Sequence, residues 1–71
     1  RITLYPNPAS NELFVEGVEL GQEYQVLDLN GRKLVEGECD SSMIKLDLSR
    51  LETGAYFLLV GNDTFKFLKS K

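Results

Sequence analysis

Short alternating runs of apolar and polar residues, separated by Gly, Asn, Asp and Pro, recur along the whole chain. Alternation with a period of two is typical of β-strands, and no stretch has capped apolar positions at i, i+3, i+4 and i+7. Short strands with frequent turn signals are the pattern of a β-sandwich. The sequence therefore predicts an all-β fold, a small immunoglobulin-like β-sandwich of about seven strands.

The inward side chains of these strands follow from the alternation. Strands are predicted over residues 2–5, 12–17, 23–29, 32–38, 43–48, 55–60 and 64–68, and the polar stretch 36–42 is predicted as a loop that begins within the fourth strand. The expected buried set is apolar apart from its tyrosines: Leu13, Val15, Tyr24, Val26, Leu34, Ile44, Leu46, Leu48, Leu51, Tyr56, Leu58 and Val60. The run 55–60 is apolar on both faces, which indicates a central strand or an interaction surface.

Two connections carry specific turn chemistry. Pro6 and Pro8 lack a backbone donor, so their segment is expected to cross the end of the sandwich and lead from one sheet to the other. The pair Asn30-Gly31 predicts a type I′ hairpin turn, in which both positions have positive φ. Gly54 is expected to allow a tight exit from a compact bend at residues 49–54.

The chain of 71 residues is long enough for one small domain, residues 1–71, with a stability on the order of 5 kcal/mol or less. Because it opens at Arg1 without a Met, we expect a fragment of a larger protein. A net charge of −3 argues against nucleic-acid binding, which usually needs a basic surface. No apolar run approaches the roughly 20 residues that span a bilayer.

Charge is distributed unevenly along the chain. Residues 1–63 contain five basic and all eleven acidic residues, whereas residues 64–71 contain three lysines and no acid. An acidic body with a basic end indicates that the end has a different use from the rest.

Groups for catalysis or metal binding are missing from the sequence. There is no His, and the single cysteine, Cys39, has no residue to activate it, so we expect a small, partly buried side chain near a strand end and no enzyme activity. Zinc would need more Cys or His ligands, and the Asp and Asn pairs that could bind calcium are explained by turns. We therefore expect no metal and no cofactor.

Three motifs and a basic tail occur in a fixed order over the whole chain. They are Tyr5-Pro6-Asn7-Pro8, Asp28-Leu29-Asn30-Gly31-Arg32-Lys33, Leu51-Glu52-Thr53-Gly54-Ala55-Tyr56, and the lysine-rich stretch 64–71. In this order they resemble the C-terminal sorting domain of cargo proteins of the type IX (Por) secretion system of Bacteroidetes-type bacteria, of the type A family. No single motif is specific, but the ordered set is.

The resemblance implies a secretion signal and not an enzyme. A cargo protein would cross to the periplasm, be directed across the outer membrane by this domain, and lose the domain to a sortase, ending at the cell surface or secreted. The implied partners are the outer-membrane machinery, the sortase and the upstream cargo domain. Within the family the last residues matter for export, which here are Lys66, Phe67, Leu68, Lys69, Ser70 and Lys71.

A second set of motif residues is expected to build the fold and not to bind a partner: Tyr5, Pro6, Asn7, Pro8, Asp28, Gly31, Leu51, Gly54 and Tyr56. The Tyr56 hydroxyl should reach a backbone partner. An alternative function stays open, an accessory immunoglobulin-like module that binds carbohydrate or another protein. Edge strands, with Phe57 and Leu59, could also support a homodimer.

Overall fold

The chain folds into two antiparallel β-sheets packed face to face. The computed structural model describes residues 1–71. The seven strands are β1 (Thr3–Tyr5), β2 (Glu12–Glu16), β3 (Glu23–Leu27), β4 (Lys33–Glu38), β5 (Met43–Asp47), β6 (Gly54–Val60) and β7 (Asp63–Lys69). The smaller sheet has the strand order β1-β2-β5, and the larger has the order β4-β3-β6-β7. The all-β, immunoglobulin-like sandwich of seven strands is therefore confirmed.

The smaller sheet follows the predicted alternation closely. In β2, Leu13 and Val15 are buried, and they lie opposite Leu46 and Ile44 of β5. Phe14 points to the outer face, where it is half-buried. The inner face of the sheet is apolar and its outer face is mainly polar, as expected for an antiparallel sheet with one face on the core.

The most apolar strand, β6, lies in the interior of the larger sheet, between β3 and β7. Tyr56, Leu58 and Val60 are buried in the core, whereas Phe57 and Leu59 are half-buried on the outer face. Of the two alternatives that the apolar faces of this run indicated, a central strand or an interaction surface, the structure shows the central strand.

The core also contains residues that the sequence analysis did not assign to it. Ala9, Val18 and Phe67 are buried, and all three lie in or beside segments whose inward face the alternation left unclear. Cys39, directly after β4, is almost completely buried, and this desolvation, with the nearby charges of Asp40 and Glu38, raises the pKa of its thiol.

The expectation that the Pro6–Pro8 segment leads from one sheet to the other is wrong. It joins β1 to β2, which pair antiparallel within the smaller sheet, with Tyr5 opposite Phe14. Six residues between the strands allow the chain to return beside itself. The segment does reach the larger sheet, because Oδ1 of Asn7 accepts the Leu68 N–H of β7 and the following residue, Ala9, forms backbone hydrogen bonds with Leu68 and Ser70.

The type I′ turn predicted at Asn30-Gly31 is also wrong. Gly31 has a φ of +83°, but no residue other than glycine has a positive φ. The Gly31 N–H donates to the Asp28 carbonyl (3.0 Å), and the Asp28 N–H donates to the Arg32 carbonyl (3.0 Å). This pattern is a three-residue loop, a type I turn followed by one left-handed glycine.

Strand ends differ from the prediction around this hairpin. β3 ends at Leu27 and not at residue 29, because the Asp28 side chain and backbone begin the turn. β4 ends at Glu38, as predicted for that strand, so the loop predicted from residue 36 begins only after it. Polar residues at 36 and 38 are compatible with a strand because they lie on its solvent side. The bend at residues 49–54 contains no helix, and Leu51 packs against the core there.

Candidate recognition surface at the C-terminal strand

β7 is an edge strand, hydrogen-bonded to β6 on one side. It pairs with β6 along its full length, from Asp63 opposite Val60 to Lys69 opposite Gly54. Backbone groups of an antiparallel strand face its neighbour at every second residue and face away at the others. The Leu68 N–H and carbonyl bind groups outside the β6–β7 ladder, so the outward positions of β7 are Thr64, Lys66 and Leu68.

The C-terminal half of this edge is covered by the loop between β1 and β2. The Leu68 N–H donates to Oδ1 of Asn7 (3.0 Å), the Ala9 N–H donates to the Leu68 carbonyl (2.7 Å), and the Ser70 N–H donates to the Ala9 carbonyl (2.7 Å). The Ser10 hydroxyl also donates to the Lys71 carbonyl (3.1 Å). We call residues 7–10 the clasp, because they hold residues 68–71 in place.

The side chains of β7 divide between the core and the solvent. Phe67 is fully buried and stacks on Tyr56, with ring centroids 5.8 Å apart. Lys69 is only 6% exposed, whereas Leu68 is 46% exposed and Lys66 is exposed. Of the six residues expected to take part in recognition, four therefore present side chains to solvent: Lys66, Leu68, Ser70 and Lys71.

The inward position of Lys69 was missed by the sequence analysis, which grouped it with the exposed lysines. Its ammonium group donates to the Ser70 carbonyl (2.9 Å), so the buried charge has a polar partner. The alternation itself contained the signal, because Lys69 lies two residues after Phe67 and thus on the same face of the strand.

The outward side chains of β7 border an apolar strip on the larger sheet. Lys66 lies opposite Phe57 and Leu68 lies opposite Ala55, while Phe57 in turn lies opposite Leu27 of β3. A shallow groove at the end of this strip includes Leu68 together with Pro8 of the clasp. Exposed apolar surface and unoccupied backbone groups therefore occur at the same edge.

The basic residues of this region are not neutralised within the chain. The structure has three ion pairs, Arg32–Asp28, Lys33–Glu36 and Lys45–Glu12, and none of them involves β7. Lys66 and Lys71 remain available to an acidic partner, and exposed charges of this kind act mainly on the rate and specificity of association.

The motif residues expected to build the fold occupy structural positions. The Tyr56 hydroxyl donates to the Glu52 carbonyl, so the expected hydrogen bond from this hydroxyl to the backbone is confirmed. Tyr5 stacks on Phe14 (5.5 Å between ring centroids), and its hydroxyl donates to Glu16. This hydrogen bond, with desolvation and the Glu16 charge, raises the pKa of Tyr5.

Asp28 organises the β3–β4 turn. Its Oδ1 accepts the N–H groups of Asn30 and Arg32, each at 2.9 Å, and its Oδ2 accepts the Arg32 Nε–H at 3.2 Å. The hydrogen bond from the Arg32 backbone is the main reason that the pKa of Asp28 lies below its ordinary value. Gly31 closes the same turn, and Gly54 begins β6.

Other kinds of site find little support in the structure. No group of three or more Cys, Asp or Glu side chains is placed to hold a metal ion. No helix of a length and hydrophobicity suited to crossing a bilayer occurs. The edge of β7, which carries the residues expected to take part in recognition, is the candidate site.

Known proteins share the sequence pattern and the fold of the whole chain. The profile of a family described as the secretion system C-terminal sorting domain matches residues 3–70. No curated protein matches the chain. A solved structure of PorZ, an essential bacterial surface component of the type-IX secretion system of Porphyromonas gingivalis, has the same fold, with a TM-score of 0.87 and 20% identity. The match covers 99% of this chain but only 11% of the PorZ chain.

Proposed function

We propose that the exposed C-terminal residues of this chain are the part that the secretion machinery recognises. The chain belongs to the family of type IX secretion system C-terminal sorting domains, and the proposal starts from that membership. A domain of this family is a secretion signal for the protein that carries it. The chain would then act as an address for an upstream cargo domain, with no catalytic step of its own.

The single observation that supports this proposal is the set of exposed lysine and leucine side chains along the edge of β7. Lys66 and Leu68 point to solvent from this edge, next to Lys71 at the end of the chain. Phe67 and Lys69 would contribute indirectly, because their buried side chains hold the strand in position. The outer-membrane machinery of the type IX system is the proposed partner, and a sortase would remove the domain after passage from the periplasm to the surface.

An export assay tests the proposal. A signal peptide and a folded fluorescent reporter are fused before residues 1–71 in a bacterium with a working type IX system. We expect the reporter on the cell surface or in the medium, and a mature form that lacks the domain on immunoblots. Retention of the intact fusion in the periplasm would contradict the proposal and favour an accessory binding module.

A matched pair of variants locates the recognised surface. The triple variant Lys66→Ser, Leu68→Ser and Lys71→Ser should lower export at least tenfold, because it removes the exposed side chains of this edge. The control, Lys33→Ser with Lys45→Ser, removes two exposed lysines elsewhere, each in a surface ion pair worth at most about 1 kcal/mol. Equal export of both variants would place recognition outside the C-terminal residues.

Pairing of two copies through edge strands is a further arrangement that we propose to test. Sedimentation velocity of the isolated domain from micromolar to millimolar concentration would detect it. A homodimer through β7 would use the same edge as the machinery, so dimerisation and recognition would be mutually exclusive.

A further inference from the structure

The edge of β7 is open over one half of its length and closed over the other. At Leu68 and Ser70 the outward backbone groups are bound by the clasp. At Thr64 and Lys66 the outward N–H and C=O groups have no partner within the chain, whether backbone or side chain. Four backbone hydrogen-bonding groups are thus exposed in a row on an extended strand.

The opposite edge of the larger sheet, β4, is more acidic than the open half of β7. The Cys39 N–H donates to the Gln22 carbonyl (2.7 Å), so the alternation of the ladder turns the backbone groups of Glu36 and Glu38 away from β3. The open edge of β4 therefore displays Glu36, which is paired with Lys33 (3.0 Å), and Glu38, which is in no ion pair. The open half of β7 has the exposed Asp63 at its beginning and then displays Lys66, which has no acidic partner within the chain. An incoming strand that carries acidic residues would be repelled at β4 and attracted at β7.

We propose that the secretion machinery binds the sorting domain by adding one extended, acidic strand to the open half of β7, Asp63–Phe67, as a fifth strand of the larger sheet. The proposal rests on the function proposed above and names the partner's chemistry. The backbone groups of Thr64 and Lys66 supply the hydrogen bonds, which is how β-augmentation generates affinity.

Side-chain placement on the larger sheet specifies the incoming strand further. Side chains of adjacent strands lie side by side on each face of a sheet. An acidic residue of the incoming strand would lie beside Lys66 on the outer face of the larger sheet, close to the half-buried Phe57 and Leu59. The clasp occupies the edge from Leu68 onward and so limits the incoming strand to a few residues.

A proline substitution tests the pairing because it removes a single outward donor. In Lys66→Pro the lost N–H faces away from β6, so the β6–β7 ladder keeps its hydrogen bonds, and proline is tolerated at such edge positions. Glu36→Pro is the matched control, which removes an outward N–H from the opposite edge. In the export assay we expect at least a tenfold loss for Lys66→Pro and less than a twofold loss for Glu36→Pro.

Lys66→Gln and Lys66→Glu separate the charge from the backbone donor. We expect Lys66→Gln to be exported better than Lys66→Pro, and Lys66→Glu to be reduced at least tenfold through repulsion of the acidic strand. Circular dichroism and amide spectra establish that each variant folds, and Thr64→Pro, at the other outward position, replaces Lys66→Pro if that variant does not. Normal export of the folded proline variant, or of Lys66→Glu, would overturn the proposal.

The outcomes separate this inference from the more general function. If the unsubstituted fusion is not exported, the sorting function itself fails. If it is exported and the β7 proline variant is exported equally, sorting stands and strand addition is wrong. If the proline variant abolishes a homodimer of the isolated domain but leaves export unchanged, a second copy and not the machinery occupies the edge, which also overturns the proposal.

Discussion

Lys69 combines a charged end with a position inside the sandwich. It is two residues beyond the fully buried Phe67, on the same face of β7, and its ammonium group binds the Ser70 carbonyl. The aliphatic part of a lysine can pack against apolar surface while the charge finds a polar partner. Inward-pointing charges on edge strands also oppose uncontrolled pairing with other chains. Lys69 thus belongs to the architecture of the edge and not to its exposed surface.

Replacement of Lys69 by Met should leave export within twofold of the unsubstituted domain. Methionine retains an unbranched apolar side chain of similar length, and the removed charge is not accessible to a partner. The measurement is the reporter assay, with denaturant unfolding to verify stability. If a folded Lys69→Met variant loses as much export as Lys66→Glu, the secretion machinery contacts the Lys69 charge directly.

Asp28 should make folding sensitive to acid. The Arg32 backbone N–H and further hydrogen bonds hold the pKa of Asp28 below its ordinary value. The contribution of Asp28 to stability is therefore present above the pKa of the unfolded chain and is lost as pH falls through the folded pKa. We expect the free energy of unfolding to decrease below about pH 4 and to decrease less in Asp28→Asn. Parallel denaturant titrations at pH 2 to 7 measure this, and identical acid profiles for the two proteins would contradict it.

At the scale of elements, the β3–β4 hairpin and the clasp show how turns determine which edges are available. The hairpin uses one left-handed glycine and a capping aspartate. The clasp uses a side-chain oxygen of Asn7 and the backbone of Ala9 to complete the outer side of β7. The Tyr5-Pro6-Asn7-Pro8 motif and the C-terminal residues, distant in sequence, therefore form one structural unit.

The turn type leads to a prediction for two adjacent alanine substitutions. Gly31→Ala should destabilise the domain by about 1 kcal/mol, because φ is +83° and a Cβ there meets no other atom, so backbone strain is the only cost. Asn30→Ala should cost clearly less, since Asn30 does not have a positive φ. Denaturant unfolding measures both. Equal large losses at both positions would instead indicate the type I′ turn.

At the scale of the whole molecule, β7 is both the proposed recognition element and a structural strand. It supplies Phe67, which is fully buried, and it pairs with the central strand β6 along its entire length. A small domain has little stability in reserve, and removing one large aromatic side chain from a core costs roughly 3–5 kcal/mol. Truncations that remove the strand therefore cannot separate recognition from folding.

Deletion of residues 64–71 should abolish folding, whereas deletion of Ser70 and Lys71 should leave a folded domain. The larger deletion removes Phe67 and exposes the backbone of β6. The smaller one keeps every core side chain and removes two exposed side chains, their hydrogen bonds to the clasp and the Ser70 carbonyl that accepts the Lys69 ammonium group. Circular dichroism and thermal unfolding of the two proteins make the comparison. A cooperative thermal transition in the larger deletion would show that β7 is dispensable for the fold.

Local alternation and turn residues were sufficient to predict the β-sandwich and the inward faces of β2 and β5, and they left β6 as either a central strand or an interaction surface. These features depend on side chains a few residues apart, whose spacing is visible in the sequence. The sheet to which each strand belongs and the closure of the β7 edge by Asn7 and Ala9 were decided by the tertiary structure. Both depend on contacts between segments that are distant in sequence, about 60 residues apart at the β7 edge, which local alternation does not encode.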